Sequence, residues 1–147
     1  MQSFSEYVSD NLTPVDGESR YADFLNDCYS FDSIGGPFDT MRPADVLRQM
    51  DPTAFRCGVN DYLDGDEFTY FEGDYYDSSE FEEAKEEYES ELNEQIDYCE
   101  TEYEEYEELS HTVQHGSELW IAYSHKMDAL TKTLAELESL QKALANV

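Results

Sequence analysis

The 147 residues carry 36 acidic side chains against 8 basic ones, a formal net charge of −28. Charge of this size repels nucleic acid and anionic membranes and attracts basic surfaces, so direct binding to either of the first two is not expected. Twelve tyrosines, eight phenylalanines and one tryptophan argue against disorder, which needs few aromatics.

Along the chain, the opening "MQSFSEYVSDNL" has neither the basic nor the apolar region of a signal peptide, and none is expected. "SRYADFLNDCY" places Tyr21, Phe24, Leu25 and Cys28 on one face of a short helix. "SFDSIGGPFDT" has short β-like runs around a Gly-Gly pair and suggests a hairpin. "RPADVLRQM" puts Pro43 at the first position of a helix. "DPTAFRCGVNDYLDG" repeats the signal with Asp51 as N-cap and Pro52 behind it; Phe55, Val59, Tyr62 and Leu63 fall at helical spacing, and Gly65 ends the run. "DEFTYFEGDYYDSS" fits either a short strand pair around Gly73 or an acidic aromatic loop.

From Ser78 the helical signal is strong. Ser79 with Glu82 forms a candidate capping box. Phe81, Lys85, Tyr88, Leu92, Ile96, Cys99, Tyr103, Tyr106 and Val113 recur every three or four residues apart from the final gap. After Gly116 a second helix is expected from Ser117. Its residues Tyr123, Met127, Leu130, Leu134, Leu137, Gln141 and Leu144 follow an a/d seam. The leucine seam reads as internal core, with a homodimer surface as its second use. A short break between two long helices predicts an antiparallel hairpin.

The charge is concentrated. Residues 61–108 hold 22 of the acids and one lysine, whereas residues 109–147 are nearly neutral. Within the acidic helix Glu82–Glu86, Glu83–Glu87, Glu87–Glu91, Glu100–Glu104 and Glu104–Glu108 stand at i,i+4. Like charges at that spacing cost a helix roughly 0.2–0.5 kcal/mol per pair. Thirty-three residues from Ser78 to Ser110, with 15 acids, rise about 50 Å, or about one charge per 3.3 Å. One strand of B-DNA carries a charge per about 3.4 Å of axis. A surface of that density is expected to stand in for phosphates. Tyr98 lies off the apolar seam and is expected to be exposed, where it could cover an arginine.

No catalytic pattern stands out, and no cofactor or metal is expected. An EF-hand reading from Asn60 fails, because Tyr62 and Phe71 occupy ligand positions. His111 and His115 lack an evident third ligand and are expected to cap the end of the acidic helix. Cys28, Cys57 and Cys99 are expected to be reduced and buried.

Two resemblances follow from these residues. The stretch "VLRQMDPTAFRCGVNDYLDG", residues 46–65, resembles small phage and prophage proteins of unassigned function that carry a D-P-x-A-[FY]-R-x-G motif. This implies a phage origin and a site of action in the cytoplasm of a host bacterium, and it transfers no catalytic residue. The tyrosine-dotted "EYESELNEQIDYCETEYEEYEE" is similar in character, without an aligned motif, to phage DNA-mimic anti-restriction proteins. This chain departs from them by its nearly neutral C-terminal helix.

The expected fold is mainly α (α+β class). It comprises a small mixed N-terminal unit over residues 1–77 and an acidic antiparallel helical hairpin over 78–147. The expected function is non-enzymatic: a DNA mimic that occupies the basic groove of a host restriction enzyme, CRISPR effector or other defence nuclease. The candidate phosphate mimics are Glu83, Glu86, Glu87, Glu94, Asp97, Glu100, Glu104, Glu105 and Glu108 on the helix, and Asp64, Asp66, Glu67 and Asp74 before it. The competing expectation is an adaptor coiled coil whose acids serve only solubility.

Overall fold

A computed structural model describes residues 1–32, 36–38 and 40–147. Among these it is mainly helical with one two-stranded sheet. The helices are α1 (Phe4–Asn11), α2 (Gly17–Cys28), α3 (Pro43–Met50), α4 (Pro52–Leu63), α5 (Ser78–Thr112) and α6 (Glu118–Leu144). The strands β1 (Phe68–Phe71) and β2 (Asp74–Asp77) separate α4 from α5. The chain divides into two compact units, one formed by Leu12–Glu82 and the other by Met1–Asn11 with Glu83–Val147. The sequence reading placed its boundary after Asp77 and kept residues 1–11 with the first unit.

In the unit formed by Leu12–Glu82, three helices enclose a core of Leu25, Ala44, Phe55, Val59 and Leu63. Each helix start has an identifiable acceptor. The Asp16 carboxylate accepts from the Ser19 N–H at 3.2 Å, and that of Asp51 from the Ala54 N–H at 2.9 Å. Arg42 gives α3 no side-chain cap, and Asn26 Oδ1 instead accepts from the Ala44 N–H at 3.1 Å. Several residues of the D-P-x-A-[FY]-R-x-G stretch have structural work. Asp51 caps α4, Pro52 opens it and Phe55 is buried. Gly58 leaves room for Tyr21, whose phenol a methyl group at that position would strike.

The ambiguous acidic aromatic segment is a hairpin. Tyr70 pairs with Tyr75 across it, their ring centroids 5.0 Å apart. Its two-residue turn has positive φ at both Glu72 (50°) and Gly73 (109°), the conformation of a type I′ turn. By contrast, the hairpin expected over residues 30–40 is not formed by its described part, where Gly36–Phe38 is a 3₁₀ turn. Residues 33–35 and 39 lie outside the described residues. Pro37 offers no N–H to a ladder and suits the tighter turn.

Helix α5 starts directly where β2 ends. The Ser78 N–H still donates to the Glu67 carbonyl at 2.9 Å, and the cap is Asp77 rather than Ser79. The Asp77 carboxylate accepts from both the N–H (3.0 Å) and the hydroxyl (2.6 Å) of Ser79. The Ser79 hydroxyl, and then its N–H, hold the Asp77 carboxyl below its usual range. Asp77→Ala is expected to lower stability by about 1 kcal/mol at neutral pH. A depressed folded pKa contributes stability above the unfolded value and loses it as pH falls through the folded one. Thermal melts of the two proteins should therefore converge in acid.

In the other unit, α5 and α6 run antiparallel. Gln141 Nε2 donates to Asn93 Oδ1 at 3.1 Å, and the Tyr106 and Tyr123 rings lie 5.9 Å apart, so advance along one helix is retreat along the other. Gly116, with φ 81°, precedes the Ser117 cap, whose hydroxyl accepts from the Trp120 N–H at 3.2 Å. The buried line on α5 is Ala84, Tyr88, Leu92 and Cys99; Lys85 on the expected seam is half-buried. On α6 Leu137 and Leu144 are buried, while Tyr123, Met127, Leu130 and Leu134 are half-buried.

Helix α1 completes this unit. Ser3 and Glu6 form a reciprocal capping box: the Ser3 hydroxyl accepts from the Glu6 N–H at 3.3 Å, and Glu6 Oε2 accepts from the Ser3 N–H at 2.9 Å. The Phe4 and Tyr7 rings each lie 5.3 Å from that of Tyr88, whose hydroxyl donates to the Gln2 carbonyl at 2.7 Å.

Candidate functional site

The seam of α5 decides where its acids point. With about 100° of rotation per residue, Glu83, Glu86, Glu87, Glu94, Asp97, Glu100, Glu104, Glu105 and Glu108 cover one arc about 140° wide. That arc lies opposite Ala84, Tyr88, Leu92 and Cys99, and all nine acids are exposed. From Glu83 to Thr112 the helix holds 13 carboxylates in a rise of about 45 Å, one per about 3.5 Å. Among the described residues the two ion pairs are Arg48–Glu18 at 3.6 Å and Lys132–Glu136 at 3.9 Å, and neither uses a candidate acid. The charge of the arc is therefore left to solvent and to whatever binds it.

Two tyrosines modify this surface. The Tyr7 hydroxyl donates to Glu87 Oε2 at 3.2 Å, which ties Glu87 to α1 and makes it the most constrained of the nine. Burial, then this carboxylate, push the Tyr7 phenol up. Tyr98 is 58% exposed, as its position off the seam predicts, and donates to Glu102 Oε1 at 2.9 Å. That hydrogen bond raises its phenol and keeps its ring in the acidic surface as a neutral, flat element.

The remaining four candidates, Asp64, Asp66, Glu67 and Asp74, belong to the unit formed by Leu12–Glu82 and are also exposed. They do not act alike. Asp64 Oδ1 accepts from the Tyr75 hydroxyl at 3.1 Å and raises that phenol. Asp66 and Glu67 line an open-sided groove with Phe24, Asp61, Tyr62 and Gly65. Sequence reasoning placed Phe24 and Tyr62 on apolar helix faces and omitted Asp61. A usable signal was the acid immediately before Tyr62, followed by three more acids within six residues.

Other expectations are revised. His111 lies in the last turn of α5, but His115 is beyond it and meets Trp120 in a tilted ring contact, centroids 4.1 Å apart. Cys99 is buried, whereas Cys57, off the packed side of α4, and Cys28, the last residue of α2, are exposed; all three are free thiols. Among the described residues no group of three or more His, Cys, Asp or Glu is arranged to hold a metal ion. No helix among them is long and apolar enough to cross a membrane. No family model matches this chain, and no curated protein or solved structure matches it either.

Proposed function

We propose that the chain is a phage-encoded DNA mimic that inhibits a nucleic-acid-binding defence protein of its bacterial host. In this reading the outer arc of α5 occupies the host protein's basic groove. The observation that carries the proposal is the arc itself. Nine exposed carboxylates follow one face of a long helix at about one per 4 Å of rise, against one per about 3.4 Å for a DNA strand, and none of them joins an ion pair among the described residues. Each carboxylate would meet a lysine or arginine that otherwise contacts a phosphate. Asp64, Asp66, Glu67 and Asp74 would add contacts from their own unit. The work is done by charge and position, without catalysis, in the host cytoplasm.

The test is capture of a binding protein from bacterial lysate on the immobilised chain, followed by challenge with duplex DNA. Mimicry requires that the captured protein bind DNA and that DNA displace it. A captured protein indifferent to DNA would overturn the proposal. A second reading, a docking coiled coil, draws on the half-buried Tyr123, Met127, Leu130 and Leu134 of α6. It predicts a partner that survives high salt.

Salt separates folding from binding in this protein. The i,i+4 glutamate pairs repel one another, and added salt screens that repulsion. The melting temperature should therefore rise between low and moderate sodium chloride. Over the same interval the affinity for a basic partner should fall steeply, because ion pairing supplies it. Melting curves and binding isotherms in one salt series check both slopes.

A further inference from the structure

We propose that the groove beside α2 and the α4–β1 connection is a receptor site for a guanidinium group, the side chain of an arginine presented by a protein partner. The groove has a volume of about 490 Å³, within the range of about 300–1,000 Å³ typical of ligand sites. It combines the two features that a guanidinium uses. The first is aromatic. Phe24 is 41% exposed, and its ring meets that of Tyr62 at 5.2 Å between centroids. Tyr21 and Phe68 extend this contact at 6.2 Å from Phe24 and 5.2 Å from Tyr62, so each of the two rings has a further aromatic neighbour. The second is anionic. Asp61, Asp66 and Glu67 line the same groove, exposed. Among the described residues their carboxylates accept no hydrogen bond and form no ion pair. The neighbouring Asp64, by contrast, is occupied by Tyr75.

The same unit already displays this chemistry once, internally. The Arg48 guanidinium lies over the Phe55 ring at 4.5 Å from its centroid, with Glu18 Oε2 3.6 Å from its nitrogen. An arginine between an aromatic face and a carboxylate is thus an arrangement that this unit accommodates. The groove presents the same pair of surfaces outward. A guanidinium suits it better than an ammonium. It is flat, weakly hydrated and able to stack on a ring while donating two parallel hydrogen bonds to one carboxylate. The proposal does not depend on the DNA-mimic reading, because the groove lies within the unit formed by Leu12–Glu82 and none of the α5 arc contributes to it.

The test is an amide-resolved NMR titration of the full chain with N-acetyl-arginine methylamide and, separately, its lysine counterpart. Expected are saturable shifts at Phe24, Tyr62 and Gly65, with the arginine probe binding about threefold or more tighter than the lysine probe. Phe24→Leu should bring the arginine probe down to the lysine level. The Asp66→Asn/Glu67→Gln double substitution, at two exposed positions, should weaken both probes. Equal binding of the two probes, shifts that Phe24→Leu leaves unchanged, or shifts confined to α5 would overturn the assignment. Displacement by duplex DNA tests the α5 arc separately, so either proposal can fail while the other stands.

Discussion

Tyr88→Ala is expected to destabilise the unit that contains α1, α5 and α6 by about 3–5 kcal/mol, the usual cost of truncating a fully buried aromatic to alanine. Tyr88 has no exposed surface, and both α1 aromatics, Phe4 and Tyr7, pack on its ring. Removing the ring takes the shared packing partner from Phe4 and Tyr7 of α1, a helix of eight residues. Isolated helices of that length do not persist in water. Calorimetry should show a large fall in the transition of this unit, and proteolysis should open the first residues early. Tyr88→Phe isolates the hydroxyl. It removes the 2.7 Å bond to the Gln2 carbonyl, and Gln2 is exposed. Water can replace the lost donor there, so the cost should sit at the low end of about 0.5–1.5 kcal/mol. Burial raises the Tyr88 phenol above its ordinary value of about 10. A group raised in the folded state contributes stability below its unfolded pKa and loses it as pH climbs through the folded one. Stability should therefore decline above about pH 10, and Tyr88→Phe should flatten that decline.

How far these features could be foreseen depends on whether the physics was local. Asp51 and Pro52 mark the start of α4 because cap and first-turn chemistry lie within three residues. The long helices are legible from periodicity, since thirty residues average out single exceptions such as Lys85. Helix α1 carried a local signal too, the Ser3–Glu6 capping box, but eight residues give little periodicity to support it. The β1–β2 hairpin was obscured by its turn. Asn-Gly or Asp-Gly marks a type I′ turn, whereas here Glu72 takes the positive φ before Gly73. The Asp77 cap was hidden because it depends on where β2 stops.

The two candidate surfaces differ in the same way. Exposure of the α5 acids follows from the seam alone, so their position on the outer arc was readable. The groove was not, because Phe24 comes from α2 while Tyr62, Asp66 and Glu67 come from α4 and the segment after it. Sequence assigns each ring to an apolar face. Only packing decides that Phe24 stays 41% exposed beside three carboxylates.

Glu104→Lys is expected to stabilise the fold and weaken partner binding together, and that combination is the sharpest test of what the charge is for. Glu104 stands four residues from both Glu100 and Glu108, so one substitution turns two repulsive pairs into two attractive ones. Each pair changes by a few tenths of a kcal/mol, and the pair with Glu100 has the favourable order, with the acid N-terminal to the introduced lysine. Glu104 is exposed and joins no ion pair, so no native contact is lost. The melting temperature should rise by a measurable margin. A basic groove, however, would now meet a lysine within the arc, and a like charge placed against it costs several kcal/mol. Binding to the captured host protein should fall at least about tenfold. Extending the reversal to Glu94 and Asp97 should abolish it while the protein remains folded. The adaptor reading predicts the opposite pairing: a gain in stability with binding unchanged. Because the variant is expected to be better folded than the parent, lost binding cannot be ascribed to damage. A helix that gained stability when its charge was reversed would keep that charge for a reason other than folding, and binding lost in the same variant would identify that reason as a basic partner surface.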